Sequence, residues 1–398
     1  MKKELNEKIA ILVQQVIPEI TKIRRAIHAN PELAGEEYET SRLVREELAK
    51  SPAIEVKAPF VATDVIALLY GKGPGKNVTL RADMDALPME EATLLPYASR
   101  NPGKMHGCGH DGHTACLLGA AKVLAQLQDE FEGSIRFAFQ PGEETGGHAQ
   151  YLVGAGALDE PPPSACYALH AHSTVVPGLV KTMSGVLMSG ITEYRIELTG
   201  MSSIRSEPEK AVDPIAAMAQ LVLQLNMLIS TKVSPLDNAI LDVKNVHAFN
   251  PAGDAPGKAV VEGHIRYLKE NTRDVLRKSI VNILEGLKHS YGVEYTHSFR
   301  EDYKINSNDP WCVELLRKIT EETYGKEMFR YMEQPSMGSE DFCYFLEKAP
   351  GAFFNLGNGV DRAYCHNPKF DFNDEALSYG ITLFVKLALE TLEEKNRS

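Results

Sequence analysis

Apolar residues recur at three- and four-residue intervals through Ile9, Leu12, Val13, Val16, Ile17, Ile20 and Ile23. That spacing predicts one buried face of a long first helix, ending near His28. Asn30-Pro31-Glu32-Leu33 then reads as a turn, and Glu39 to Lys50 as a second helix. Short apolar runs follow at Val65–Tyr70, Val78–Leu80, Ser134–Gln140 and Cys166–Leu169. Each is bounded by Gly-, Pro- or acid-rich turns, which predicts strands. Between the second and third of these strands lies an apolar helical run, Ala115 to Leu124, with Asp111 or Thr114 placed to cap its start. Strands alternating with helices predict an α/β layer with a mostly parallel sheet.

From about Gly190 the pattern changes. Strands are predicted at Ile191–Thr199, Ala239–Val246, Ala259–Leu268 and Val293–Ser298, with helices at Pro214–Ile229 and Thr272–His289. This β-α-β-β-α-β order is that of a ferredoxin-like unit. Helical patterns resume at Asp309–Tyr324, Ser339–Lys348 and Asp374–Glu394, with a strand at Ala352–Leu356. The expected organisation is a first part of one domain over 1–187, an inserted α+β domain over 188–302, and the rest of the first domain over 303–398.

With 398 residues, 43% hydrophobic and 24% charged, the chain has the composition of a globular protein with ample core. A net charge of −12 argues against nucleic acid or an anionic membrane surface as the main partner. No signal-peptide pattern and no apolar run of membrane-spanning length is evident, and six cysteines are too few for a disulfide scaffold. A cytoplasmic protein with reduced thiols is expected.

The chemistry concentrates in Met105-His106-Gly107-Cys108-Gly109-His110-Asp111-Gly112-His113-Thr114. A thiolate and several imidazoles at that density suit borderline-soft metal ions. Further polar groups sit just past predicted strand ends: Asp83 and Asp85, then Glu143 and Glu144, then His170 and His172. Open α/β sheets bind ligands at that edge, so residues scattered in sequence are expected to converge. One glutamate could hold metal while its neighbour takes a proton from water; read alone, such a pair is more often a solvated acidic turn. His170 and His172, two apart at a strand end, are expected to point to opposite faces, so that one at most faces the site. A last polar loop, Tyr364-Cys365-His366-Asn367-Pro368, precedes the final helix.

Six ordered blocks carry a resemblance over nearly the whole chain. They are RRAIHANPELAGEE from Arg24, LRADMDALPMEE from Leu80, MHGCGHDGHTA from Met105, FQPGEETGG from Phe139, MGSEDF from Met337 and HNPKFDFNDEAL from His366. The chain resembles the amidohydrolase branch of the aminoacylase and carboxypeptidase-G peptidase family, M20. The resemblance implies a metal-dependent amidohydrolase acting on N-acyl amino acids or similar small amide conjugates. It implies two divalent ions (Zn, Mn, Ni or Co) held by Cys108, His110, Glu144, His170 and His366, with Glu143 as general base. Asp85 and Asp111 match positions that orient ligands. The inserted domain resembles the family's lid, through which a homodimer or higher homo-oligomer would form.

The departures from the family lie in that lid. Relatives carry a histidine that reaches the partner subunit's site and binds the substrate carbonyl; here that position is Ile204, followed by Arg205, which could supply charge instead. Thr231 stands where relatives have arginine, and Gly253 where they have asparagine, with Asn250 as a nearby substitute. Ile204, Arg205, Asn250 and Gly338 are the candidate substrate-binding positions. The alternative reading is a non-catalytic or regulatory metal-binding relative that keeps the fold.

Overall fold

The computed structural model describes residues 3–202, 206–250 and 256–394. In chain order the elements are α1 (Lys3–His28), α2 (Tyr38–Ala49), β1 (Ile54–Val56), β2 (Val65–Tyr70), β3 (Asn77–Asp83), α3 (His110–Ala125), β4 (Ser134–Gln140) and α4 (Ala149–Gly154). Then come β5 (Ala165–Ser173), β6 (Val180–Thr182), β7 (Gly185–Met188), β8 (Gly190–Thr199), α5 (Pro214–Lys232), β9 (Ala239–Leu241), β10 (Asn245–His247) and β11 (Lys258–Tyr267). The last are α6 (Glu270–Tyr291), β12 (Glu294–Tyr303), β13 (Asn306–Asn308), α7 (Pro310–Tyr324), β14 (Phe329–Tyr331), α8 (Cys343–Leu346), β15 (Gly351–Gly359) and α9 (Glu375–Glu393).

The chain divides into two compact units. The first comprises Met1–Leu187, Ser307–Gln334 and Asp341–Ser398, and the second Met188–Asn306 and Pro335–Glu340. In the first unit an eight-stranded sheet runs β1-β2-β4-β3-β5-β15-β6-β14. Its centre is parallel: β4 with β3, β3 with β5, and β5 with β15. Strands β3 and β4 are buried at every residue, as both faces of such a layer require. The parallel centre places the carboxyl ends of β3, β4 and β5 at one edge. Helix α3 is buried along almost its entire length and joins α1 and α9 in the same core.

The second unit is a sheet of order β10-β11-β8-β12, with β9 also on β11 and all pairings antiparallel. Its apolar core uses Ala217, Leu221, Leu225 and Leu228 of α5 and Leu276, Ile280, Leu284 and Leu287 of α6.

Several expectations are corrected. The strand expected over Ala239–Val246 is two, β9 and β10, interrupted where the Asp242 carbonyl accepts the Tyr194 hydroxyl at 2.6 Å. The helix expected over Ser339–Lys348 shrinks to α8, because the Asp341 carboxylate is tied to Arg81, Gln140 and the Ala149 N–H. Neither Asp111 nor Thr114 caps α3: its N-cap is Gly109, with no side-chain cap. The Asp111 carboxylate turns to cations, and the Thr114 hydroxyl donates to the Asp83 carbonyl at 2.8 Å. Contrary to expectation, α5 is by length and composition long and apolar enough to cross a membrane. One of its faces is nonetheless committed to the core of the second unit.

Candidate metal centre

The edge formed by β3, β4 and β5 gathers the groups that the sequence scatters. Cys108 Sγ lies 3.3 Å from His170 Nε2, and these two with His110 form one compact group of potential ligand atoms. Cys108, Glu144 and His366 form a second, and His110, Glu143 and Glu144 a third. Within each group the atoms lie within 4.8 Å of one another. Cys108 belongs to the first two groups and Glu144 to the last two. His366 Nε2 stands 3.3 Å from Glu144 Oε1, and His110 Nε2 stands 3.8 Å from the same oxygen.

Hydrogen bonds fix how the imidazoles are presented. Asp85 Oδ1 accepts from His110 Nδ1 at 3.1 Å, while Asp85 Oδ2 accepts the Glu144 N–H at 2.9 Å. One carboxylate thus aims two of the gathered groups. His170 Nδ1 donates to the Ala171 carbonyl at 2.8 Å. Both rings therefore turn Nε2 inward, as the atom that would face a metal. His110 Nε2 is buried without a hydrogen-bond partner, and Glu144 Oε1 beside it meets the ring of a further potential ligand, His366. Buried polar atoms seldom stay unsatisfied, so an orphan nitrogen aimed at a carboxylate oxygen and a second imidazole fits a cation.

Charge makes the same demand. Asp83, Asp85, Glu143 and the His110 ring are all buried here. Burial alone would lower His110, but Asp83, Asp85 and Glu144 outweigh it and raise its pKa well above the usual value. A hydrogen bond with Cys365, burial and the charges of Glu144 and Glu143 push the Cys108 thiol up. A thiol set among carboxylates becomes a thiolate only beside compensating positive charge. The donor set (thiol, imidazoles and carboxylates) fits zinc or a neighbouring first-row divalent ion.

Three loops hold these groups. The segment after α3's N-cap approaches the loop before α9 closely: a Cβ on Gly112 would lie 2.1 Å from Phe372. His366 has a positive φ of 64°, which histidine tolerates better than most residues, and its N–H donates to the Gly107 carbonyl at 2.8 Å. The loop bearing Glu143 and Glu144 is pinned by buried Glu37, which accepts N–H bonds from Gly142 and Gly35, each at 2.9 Å, and a hydroxyl bond from Thr63. Burial pushes the Glu37 carboxyl up to about 7.

Behind the site lies a buried ionic cluster. Arg24 donates to Asp111 at 3.2 Å, to Asp371 at 2.8 Å and to Asp374 at 2.9 Å. His28 Nδ1 meets Asp111 Oδ2 at 2.8 Å. Arg24 thereby ties α1 to the start of α3 and to the segment after His366. Burial opposes the charge on His28, but Asp111 outweighs it and raises His28 from 6.5 to about 9. The stabilisation is therefore full below about pH 6.5 and drains as pH rises through about 9. Wild type is expected to lose on the order of 3 kcal/mol between about pH 6 and pH 10 that His28→Gln does not lose. Urea unfolding of both proteins across that range checks it; parallel pH profiles would refute it.

Thus the structure brings Cys108, His110, Glu143, Glu144, His170 and His366 together and sets Asp85 and Asp111 behind them. His172 needs a correction of principle. Residues two apart on a strand share a face, so His170 and His172 do not point oppositely. His172 gives its Nδ1 to the Ser173 carbonyl and is in none of the compact groups. Ile204, Arg205 and Gly253 lie outside the described residues. Asn250 follows β10 in the second unit; Gly338 is also in that unit, where its carbonyl accepts the Ser189 N–H at 2.9 Å. Arg24, His28, Glu37, Asp83 and His113 also build the site. Sequence reading placed Asp83 and His113 among the candidate polar groups and gave Arg24, His28 and Glu37 no role, although all lie inside the quoted blocks.

Comparison with known proteins agrees with this architecture. The model of peptidase family M20/M25/M40 matches residues 79–390. The chain is 33% identical over 380 residues to the N-acetyl-L-cysteine deacetylase of Bacillus subtilis, covering 94% of this chain and 89% of that one. It is 34% identical over 384 residues to IAA-amino acid hydrolase ILR1-like 4 of Arabidopsis thaliana, covering 94% and 86%. Among solved structures, the Bacillus subtilis YXEP protein, described as a dinuclear metal binding peptidase, superposes with a TM-score of 0.83 at 29% identity, covering 96% and 99%.

Proposed function

Because the chain belongs to peptidase family M20/M25/M40, we propose that it is a metal-dependent amidohydrolase cleaving N-acyl amino acids or related small amide conjugates. Cys108, His110, Glu144, His170 and His366 would hold a pair of divalent ions, and Glu143 would be the general base. The observation that carries this reading is the pair of compact groups sharing Cys108, with His110 Nε2 left as a buried orphan beside Glu144 Oε1. Ions bound there would polarise the scissile carbonyl and lower the pKa of an attacking water.

The chain's own groups do the rest. Asp85 holds His110 and the Glu144 backbone in register. Glu37 holds the turn at Gly142, so Glu143 keeps its place beside Glu144. Glu143 accepts the water's proton and returns it to the leaving nitrogen, giving a carboxylic acid and an amine. The protein works as a cytoplasmic homodimer through its second unit.

The test is hydrolysis of N-acetyl, N-benzoyl and indole-3-acetyl amino acids, N-acetylcysteine among them, with added Mn, Zn, Co or Ni. At least one conjugate is expected to turn over in a metal-dependent way. No turnover with any pairing would sink the reading.

Ile204 sharpens it. The family's histidine at this position is an oxyanion donor, and losing such a donor costs about a hundred- to a thousand-fold in kcat. Ile204→His is therefore expected to raise kcat by up to that factor. An unchanged kcat alongside robust wild-type turnover would mean that other residues clamp the substrate.

A further inference from the structure

Asp83, His110 and His113 form another compact group of potential metal ligands, each residue fully buried. His113, however, has no lone pair to give. Its Nε2 accepts the Ala171 N–H at 2.8 Å, so that nitrogen is unprotonated. Its Nδ1 must then carry the proton, which it donates to Asp83 Oδ1 at 2.6 Å. Asp83 is held in turn: Arg81 Nη1 donates to Asp83 Oδ2 at 2.8 Å, and Arg81 Nη2 donates to Asp341 at 2.8 Å.

Ala171 is the point of this arrangement, through the peptide groups on its two sides. Pairing of β3 with β5 stops at Arg81 and Ala168, so β3 offers no registered partner to the end of β5. His113 takes the Ala171 N–H there. The carbonyl of the same residue accepts from His170 Nδ1 at 2.8 Å, which turns His170 Nε2 toward Cys108 at 3.3 Å.

We infer that His113 is a neutral positioning residue, not a metal ligand, and that the chain Arg81–Asp83–His113–Ala171 aims His170 at the metal centre. Its consequence for metal binding rests on the function proposed above; the hydrogen-bond chain itself does not. The mechanism is geometric. Anchoring the Ala171 N–H holds the end of β5, and with it the next peptide plane, whose Ala171 carbonyl orients the His170 imidazole; groups that orient ligands typically govern metal affinity ten- to a hundred-fold.

The experiment compares wild type, His113→Phe and His113→Gln. Phenylalanine fills the volume but makes neither bond. Glutamine can donate to Asp83 through its amide NH2 and accept from Ala171 through its carbonyl. Hydrogen–deuterium exchange on the chelated proteins reads the β5 segment without any metal. His113→Phe is expected to exchange at least about ten-fold faster there, with His113→Gln close to wild type. Equal exchange in wild type and His113→Phe overturns the inference. Zinc and manganese titrations are expected to weaken about ten- to a hundred-fold in His113→Phe and recover in His113→Gln. If wild type binds no metal, the proposed function fails while the exchange result still decides the hydrogen-bond chain. If His113→Phe does not fold, nitrogen NMR of 15N-histidine-labelled wild type decides it, with the His113 signals identified by their absence in His113→Gln. A proton on Nδ1 and none on Nε2 is expected; a doubly protonated or metal-bound ring overturns it.

Discussion

Replacing Glu143 with glutamine is expected to lower kcat by between about a hundred- and ten-thousand-fold while leaving KM and bound metal near wild type. Glutamine keeps the length and shape of the side chain but cannot accept a proton. Its surroundings make the change clean. Gly142 precedes it at a φ of 66°, and a Cβ there would meet the His148 ring at 2.2 Å, so the turn tolerates glycine alone. The Gly142 N–H is held by Glu37, and the Glu144 N–H by Asp85. The backbone on both sides of residue 143 is thus fixed by bonds that the substitution leaves alone. Steady-state kinetics with metal analysis on the same preparation separates the outcomes. An unchanged kcat would remove Glu143 as the base. A fall accompanied by metal loss would make it a ligand.

Replacing Cys108 with alanine is expected to be strongly damaging as well, but to act through the metals. Cys108 is the thiol common to the groups it forms with His110 and His170 and with Glu144 and His366. Its loss should therefore weaken both metals at once, whereas His170→Ala and His366→Ala should each weaken one. Bound metal should fall from two equivalents to below one. Activity should fall by more than the roughly hundred-fold upper end for groups that only orient ligands. Plasma mass spectrometry on dialysed protein gives the stoichiometry, and kinetics at saturating metal gives the rate. Two retained equivalents in Cys108→Ala would contradict the shared-ligand assignment.

The fold was legible where one physical signal dominated. The three- and four-residue spacing from Ile9 to Ile23 has no competing explanation, and α1 spans Lys3–His28 with Ile9, Val13, Val16, Ile20 and Ile23 buried. The fully buried runs at β3 and β4 gave the sheet, and acidic turns at their ends gave the ligand edge. Legibility failed where a distant side chain overrode local preference. Ser339–Lys348 has helical spacing, yet Asp341 serves Arg81 and Gln140, far off in sequence. Asp111 suits a helix cap by local rules, but Arg24 and His28 are stronger partners for a buried carboxylate.

The same limit hid half of the site. Potential ligands announce themselves by residue type and spacing. The groups that aim them act through single hydrogen bonds across long sequence separations, as Glu37 does to Gly142 and His113 to Ala171. Nothing in the local pattern around Glu37 or His113 marks either bond.

Anomalous diffraction from crystals of the manganese- or zinc-loaded protein tests the central claim most directly. Two strong peaks are predicted, one among Cys108, His110 and His170 and the other among Cys108, Glu144 and His366. Absence of any peak at that edge of the sheet, or peaks coordinated by other side chains, would contradict it.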